Sequence, residues 1–88
     1  MKMILAIIRD IDNEAVTQSL VEASYRVTRI ASTGGFLRRG YSTLLIGVED
    51  EKVDAAIELI RDNTTSADEP GMKRATMFVL NVARYSQV

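Results

Sequence analysis

The chain has 88 residues, a formal net charge of −1, and neither cysteine nor histidine. A chain of this length accommodates one domain, the missing cysteine excludes disulfides and thiolate metal sites, and the missing histidine removes the commonest general base and metal ligand. Because the net charge is close to zero, no global electrostatic field favours binding to nucleic acid or to an anionic membrane.

Residues 1–10 contain an apolar run that superficially resembles a secretion signal. Only Lys2 precedes this run, no small-residue cleavage pattern follows it, and it is too short to span a bilayer. We therefore expect a cytoplasmic protein that does not insert into a membrane.

The first predicted elements are a strand and a helix. Residues 2–9 are dominated by Ile, Leu and Met and are followed by acidic and Asn residues, which is typical of a buried strand. Asp10, Asp12 and Asn13 are candidates for the N-cap of the helix that follows. Apolar residues then recur at helical spacing on the way to Tyr25: Val16, Leu20 and Ala23.

The middle of the chain predicts two strands and a second helix. Residues 26–32 and 41–49 are expected to be the second and third strands, with a loop at residues 33–40 that contains two adjacent glycines. Asp50 is the expected cap of the second helix. The clearest amphipathic pattern of the chain follows it, at Val53, Ala56, Ile57 and Ile60.

The last elements complete a recognisable order. Residues 63–73 have the composition of a short loop with a Pro-Gly turn signal, and residues 74–83 predict a fourth strand before a short tail. The order β-α-β-β-α-β is the ferredoxin-like arrangement, an α+β fold with a four-stranded antiparallel sheet and both helices on one face. The first and third strands are the most apolar, so we expect them to be the central pair.

The predicted strands are apolar on both faces, although two helices can cover only one. Alternation along the first strand separates two apolar sets, Met3, Leu5 and Ile7 against Ile4, Ala6 and Ile8. The last strand repeats the pattern, with Phe78, Leu80 and Val82 opposing Met77 and Val79. An isolated open sheet is one interpretation, but the stronger expectation is an oligomer in which other copies of the chain bury the second face.

The loop at residues 33–40 has features of a nucleotide-binding site. Successive backbone N–H groups around Gly34 and Gly35 can converge on an anion, because glycine permits the positive φ that such a concave nest requires. Cationic and aromatic side chains complete the pattern: Arg26, Arg38, Arg39 and Phe36. The same residues are also compatible with an ordinary glycine loop, solvated charge and a ring that anchors the loop to the core.

An RNA-recognition motif has the same element order and must be considered. Its third strand begins with a basic residue, a glycine and an aromatic residue, as Arg39, Gly40 and Tyr41 do here. The positions that should then carry stacking rings hold Thr43 and Ile46, and the first strand contains no aromatic residue. A sheet without such rings cannot stack bases, so the pattern disfavours RNA binding.

Three segments of the chain have a specific pattern: R-V-T-R-I-A-S-T-G-G-F-L-R-R-G, the following T-L-L-I-G-V-E-D-E-K-V-D, and A-T-M-F-V-L-N-V near the C-terminus. Together they closely resemble the PstA/DarA family of PII-like cyclic di-AMP receptors. The resemblance implies a ferredoxin-like homotrimer that acts as a signal receptor rather than an enzyme, with cyclic di-AMP as a ligand and no cofactor or metal. It also implies an unidentified downstream protein that reads the conformation of a loop.

The resemblance places the ligand in a cleft between neighbouring subunits. Carried over to this sequence, the ligand-binding residues are Arg26, Thr28, Gly35, Phe36, Leu37, Tyr41, Gly47 and Gln87. Arg26 is suited to a phosphate or an adenine edge, the loop backbone supplies amides, and Gly47 leaves room for the ligand.

Two departures from the family pattern leave the ligand and the output open. Ser24 and Tyr41 stand where the family usually has asparagine, and residues 63–73 are compact where the family has a long loop. The alternatives are a PII-like sensor of ATP or ADP, or an interaction trimer that has lost ligand binding. An enzyme is the weakest alternative, because the acidic residues around Asp50 suit the first turn of a helix.

Overall fold

The computed structural model describes residues 1–32, 40–65 and 73–88, and these follow the predicted β-α-β-β-α-β order. The strands are β1 (Lys2–Arg9), β2 (Arg26–Ser32), β3 (Tyr41–Val48) and β4 (Ala75–Asn81). The helices are α1 (Asn13–Glu22) and α2 (Val53–Asp62), and each follows a 3-10 turn, Asp10–Asp12 or Asp50–Lys52. The ferredoxin-like fold class is therefore confirmed, with β1 and β2 at their predicted bounds and β4 shorter at both ends.

The four strands form one antiparallel sheet in the order β2-β3-β1-β4. The prediction that the first and third strands are central is confirmed, and β2 and β4 are the two edges. Pairing between strands aligns their side chains in rows across the sheet, because residues directly opposite one another point to the same face. One such row runs through Arg26, Gly47, Met3 and Leu80.

One face of the sheet packs against the two helices and forms the core. Its fully buried apolar strand residues are Ile4, Ala6 and Ile8 of β1, which form one of the two alternating sets predicted from the sequence, with Leu44 and Ile46 of β3. The helices contribute side chains at helical spacing, Val16 and Leu20 from α1 and Ala56 and Ile60 from α2. Fully burying an aliphatic side chain of this size contributes about 1.5–3 kcal/mol, so this face supplies the main stabilisation of the fold.

The predicted helix caps are wrong in their chemistry. Neither helix, nor the 3-10 turn before it, has a side-chain hydrogen bond from its N-cap residue. Asp10 accepts a hydrogen bond from Ser42, Asp12 accepts one from the backbone N–H of Thr65, and Asp50 pairs with the Met1 ammonium. The carboxylates that the sequence predicted as helix caps therefore form contacts with residues distant in sequence. A tight 3-10 turn precedes each helix.

The C-terminal end of α1 is a Schellman motif. Tyr25 N donates to Leu20 O and Ser24 N donates to Val21 O, both at 2.9 Å. Ser24 adopts the left-handed conformation with φ of 69°, the single non-glycine residue with positive φ in the described part of the chain. Glycine, and less often asparagine, is preferred at this position of the motif, so Ser24 carries a conformational cost.

The second face of the sheet, which we call the open face, carries no helix from residues 1–32, 40–65 or 73–88. Its side chains form successive rows across the strands, and they include Met3, Leu5, Ile7, Leu45, Phe78 and Leu80. Phe78 is 53% exposed and Leu80 is 41% exposed. The predicted two-sided apolar pattern is therefore real, and one chain leaves its second apolar face accessible.

An irregularity in β2 was not predicted. The pairing of β2 with β3 shifts between Arg29 and Ala31, which makes Ile30 the extra residue of a β-bulge. Ile30 is 53% exposed. A bulge changes the direction of the strand in which it lies, and this one comes shortly before the end of β2.

Among the described residues, no helix is long and apolar enough to cross a membrane.

Candidate functional site

The C-terminal tail, residues 82–88, crosses one end of the open face and creates a cleft there. Val82 N donates to Met1 O at 3.2 Å, which extends the pairing of β4 with β1 by one bond. The tail then reaches β2 at the opposite edge of the sheet, where Arg26 contacts it. Those edges are three strand spacings apart, about 14 Å, a distance that four or five extended residues can span.

Arg26 is the residue that joins the tail to the sheet. Its Nη1 atom donates hydrogen bonds to Tyr85 Oη at 3.0 Å and to Gln87 Oε1 at 2.9 Å. Both acceptors belong to the tail, so the cleft is closed on this side by a direct link between β2 and the C-terminus. The sequence predicted a role for Arg26 and Gln87 but not their contact.

The cleft has a volume of about 650 Å³. This lies within the range of roughly 300–1,000 Å³ that is typical of pockets for small molecules. Its floor is apolar, with Met3 and Leu45 of the open face, and its walls carry Arg26 and Arg84. None of the described residues that line it is acidic. The cleft is therefore locally cationic although the whole chain has a net charge of −1.

Gly47 lines the cleft at a position without a side chain. It lies between Arg26 of β2 and Met3 of β1 in the same row of the sheet. A Cβ atom added at Gly47 would lie 3.2 Å from Cε of Met1, which is closer than ordinary van der Waals contact. Because Gly47 and Met1 both line the cleft, a side chain at position 47 would reduce its volume.

The structure brings together half of the site residues that the resemblance implied. Arg26, Thr28, Gly47 and Gln87 line the cleft within one chain. Tyr41 begins β3 opposite Arg9 of β1, six residues along the strand from Gly47, and does not line the cleft of its own chain. The remaining three, Gly35, Phe36 and Leu37, lie outside the described residues.

Three polar lining residues were not predicted as site residues: Asn81, Arg84 and Tyr85. Asn81 ends β4, and its side-chain oxygen accepts a hydrogen bond from Lys2. Tyr85 is 54% exposed, so part of its ring remains available beside the hydroxyl that Arg26 contacts. A polar and aromatic run immediately after the last strand is the signal that could have indicated them, since a tail that must leave a sheet edge can fold back over it.

Ser24 lies beside the cleft rather than in it. It lines a smaller pocket of about 250 Å³ on the other side of Gly47, together with Tyr25 and Lys52. The family usually has asparagine at position 24. Asparagine tolerates the left-handed backbone conformation of this position better than serine, so the departure has a conformational cost. In the described part of the chain, no group of His, Cys, Asp or Glu side chains is arranged to hold a metal ion.

Comparison with known proteins agrees with the resemblance seen in the sequence. The family model described as cyclic-di-AMP receptor matches residues 1–72. A crystal structure of a functionally unknown protein from Pediococcus pentosaceus ATCC 25745 is 29% identical to this chain and superposes with a TM-score of 0.80. That similarity covers 99% of this chain and 96% of the other. The family match spans most of the chain and includes the cleft residues of β1, β2 and β3, so this protein belongs to the cyclic-di-AMP receptor family.

Proposed function

We propose that the protein is a PII-like signal-transduction protein that binds cyclic di-AMP in the cleft above Gly47. The observation that carries the proposal is the convergence of Arg26, Thr28, Gly47 and Gln87 on one cleft, in a chain that matches the receptor family. The resemblance to the receptor family implies that all four residues bind the ligand.

The chemistry of the cleft suits a cyclic dinucleotide with two phosphates and two adenines. Arg26 and Arg84 provide positive charge for the phosphates, and Met3 and Leu45 provide an apolar surface for a base. Asn81 and Gln87 carry amides, which can present both a donor and an acceptor to an adenine edge. This combination favours a nucleotide over a purely apolar ligand or a simple inorganic anion.

We propose further that the cleft is completed in a homotrimer. The open face leaves Phe78 and Leu80 about half exposed beside the cleft, and apolar patches of this kind are usually covered in a stable assembly. Tyr41 lies at the end of β3 remote from Gly47, so its implied role requires a neighbouring chain to bring it to the cleft. Contact between copies across the open face would meet both requirements.

In this proposal the signal passes to an unidentified partner protein through the loop at residues 33–40. Ligand occupancy favours whichever loop conformation binds the ligand better, and no further mechanism is needed for a switch. Residues 63–73 form a short connection, so the loop at residues 33–40 is the better candidate for the output.

Calorimetry with cyclic di-AMP, cyclic di-GMP and ATP tests the proposed ligand. We expect cyclic di-AMP to bind most tightly, and we expect Arg26→Ala to weaken its binding by about 1–3 kcal/mol through loss of a charged hydrogen bond. Arg29→Ala is the matched control, because Arg29 lies on the same strand opposite Leu44 and does not line the cleft. Equal binding of all three nucleotides, or none, would refute the proposal, and tighter binding of ATP would favour a sensor of mononucleotides.

Native mass spectrometry tests the assembly separately. A trimer is expected at micromolar concentration with or without cyclic di-AMP. A protein that stays monomeric while it binds the ligand would retain the cleft but refute the intersubunit site.

A further inference from the structure

The C-terminal tail accepts hydrogen bonds from Arg26, and these bonds determine which N–H groups of Arg26 remain for a ligand. The tail lies beyond residues 1–72, the part of the chain that the family model matches. From its geometry we infer that Tyr85 is a positioning residue which, together with the ligand-binding residue Gln87, fixes the orientation of the Arg26 guanidinium. This inference rests on the proposed cyclic di-AMP site and adds one residue that sets its geometry.

The hydrogen-bond inventory of Arg26 supports this role. Nη1 of a guanidinium carries two N–H groups, and here they are directed to Tyr85 Oη and to Gln87 Oε1. Among the described residues, no hydrogen bond uses the Nε or Nη2 atoms of Arg26. The tail therefore occupies one end of the fork and leaves the Nε–Nη2 edge for a ligand.

The free edge of the fork is the one suited to a phosphate. Nε–H and one Nη2–H are parallel donors, and parallel donors form the bidentate pair that guanidinium groups make with phosphate oxygens. The two hydrogen bonds to Nη1 restrict the rotation of the Arg26 side chain before the ligand binds. Less conformational entropy is then lost on binding, and such preorganisation increases affinity. Tyr85 thus acts on the ligand through Arg26.

The alternative is that Tyr85 acts directly, as a ring or hydroxyl that touches the ligand. The two roles differ in one respect that can be measured. A residue that acts through Arg26 loses its influence when Arg26 is removed, whereas a residue that touches the ligand keeps it.

Affinities for cyclic di-AMP in a double-mutant cycle make this distinction. We expect Tyr85→Phe, which keeps the ring and removes one acceptor, to weaken binding about 5–10-fold, as for loss of a single hydrogen bond. In the Arg26→Ala background, Tyr85→Phe should change nothing further. Tyr25→Phe is the matched control, since the Tyr25 hydroxyl contacts Lys52 O away from the cleft, and it should leave the affinity unchanged. An equal loss in both backgrounds, or no loss in either, overturns the inference.

A measurement without ligand separates this inference from the proposed function. Heteronuclear ¹⁵N NOE values for residues 84–87 should show an ordered tail in the unmodified protein and a mobile tail in Arg26→Ala, with Arg29→Ala as the control. A tail that is mobile in the unmodified protein, or that stays ordered in Arg26→Ala, overturns the inference. If cyclic di-AMP does not bind the unmodified protein, the proposed function fails, while the NOE values still decide whether Arg26 and the tail hold one another.

Discussion

Replacing Asp12 by alanine should destabilise the protein, because Asp12 is one half of a buried ion pair with Arg9. Asp12 is 1% exposed and Arg9 is 7% exposed, and their charged groups lie 3.7 Å apart. Asp12 Oδ1 accepts from Thr65 N at 3.0 Å, and Arg9 Nη2 donates to Thr65 O at 2.8 Å and to Thr65 Oγ1 at 2.6 Å. The two side chains thus hold both backbone polar groups of Thr65, 53 positions from Asp12.

The expected magnitude follows from what the deletion leaves behind. Breaking a buried ion pair by removing one partner costs roughly 3–5 kcal/mol. Arg9 keeps its two bonds to Thr65, and the 3.7 Å separation is too long for a hydrogen bond, so we expect a smaller loss. We therefore place the loss at about 2–4 kcal/mol, which is a large part of the roughly 4–13 kcal/mol expected for a domain of this size.

Urea denaturation at one fixed protein concentration measures this loss, because assembly would make the apparent stability depend on concentration. Asp12→Asn separates charge from hydrogen bonding, since its amide oxygen can still accept from Thr65 N. Glu58→Ala is the control for an exposed ion pair. Glu58 and Arg61 are both more than half exposed, and the loss should stay below about 0.5 kcal/mol. A loss below about 1 kcal/mol for Asp12→Ala would refute the conclusion that this buried cluster stabilises the fold.

Two further substitutions test the conformational cost at α1 and the floor of the cleft. Ser24→Gly should raise the free energy of unfolding, measured by urea denaturation, by about 1 kcal/mol, because glycine adopts the left-handed conformation without strain. The control Ala15→Gly, within α1, should lower it by a similar amount. A lower stability for Ser24→Gly would contradict the inferred strain. Gly47→Val should weaken cyclic di-AMP binding by roughly 1–3 kcal/mol in calorimetry, because the added side chain would overfill the cleft. Thr43→Val on the same strand is the control. Unchanged affinity for Gly47→Val would show that the ligand does not approach Gly47.

The backbone could largely be predicted from the sequence because its signals are local. The alternating apolar residues of β1 and the helical spacing of α2 each specify one element without reference to the rest of the chain. The uses of the acidic residues could not be predicted in this way. Asp10 and Asp12 precede a helix as capping residues do, yet their partners Ser42 and Thr65 are 32 and 53 positions away. A local pattern cannot tell a cap from a long-range contact.

The candidate site divides in the same manner. Resemblance to the family implied Arg26, Thr28 and Gly47, which lie within strands, and the pairing of the strands places them close together. Tyr85 could not be predicted in this way, because its position depends on the path of the tail across the sheet rather than on its neighbours in sequence. Resemblance to the family supplied Gln87 but gave no reason for its presence, and the contact with Arg26 supplies one.

In the proposed assembly, the open face serves both ligand binding and contact between chains. The cleft lies at one end of this face and includes Gly47 and Met3, while Phe78 and Leu80 of β4 remain about half exposed beside it. If copies of the chain pack on these two residues, every cleft borders a subunit contact, and a ligand in the cleft touches both chains. Such a ligand binds the assembly better than the separate chains, so it must also stabilise the assembly, by at most RT ln(1 + [L]/Kd) for each site, the limit in which separate chains do not bind it. At a ligand concentration of 100 Kd this limit is about 2.7 kcal/mol per site, which is enough for dissociation on dilution to depend clearly on cyclic di-AMP.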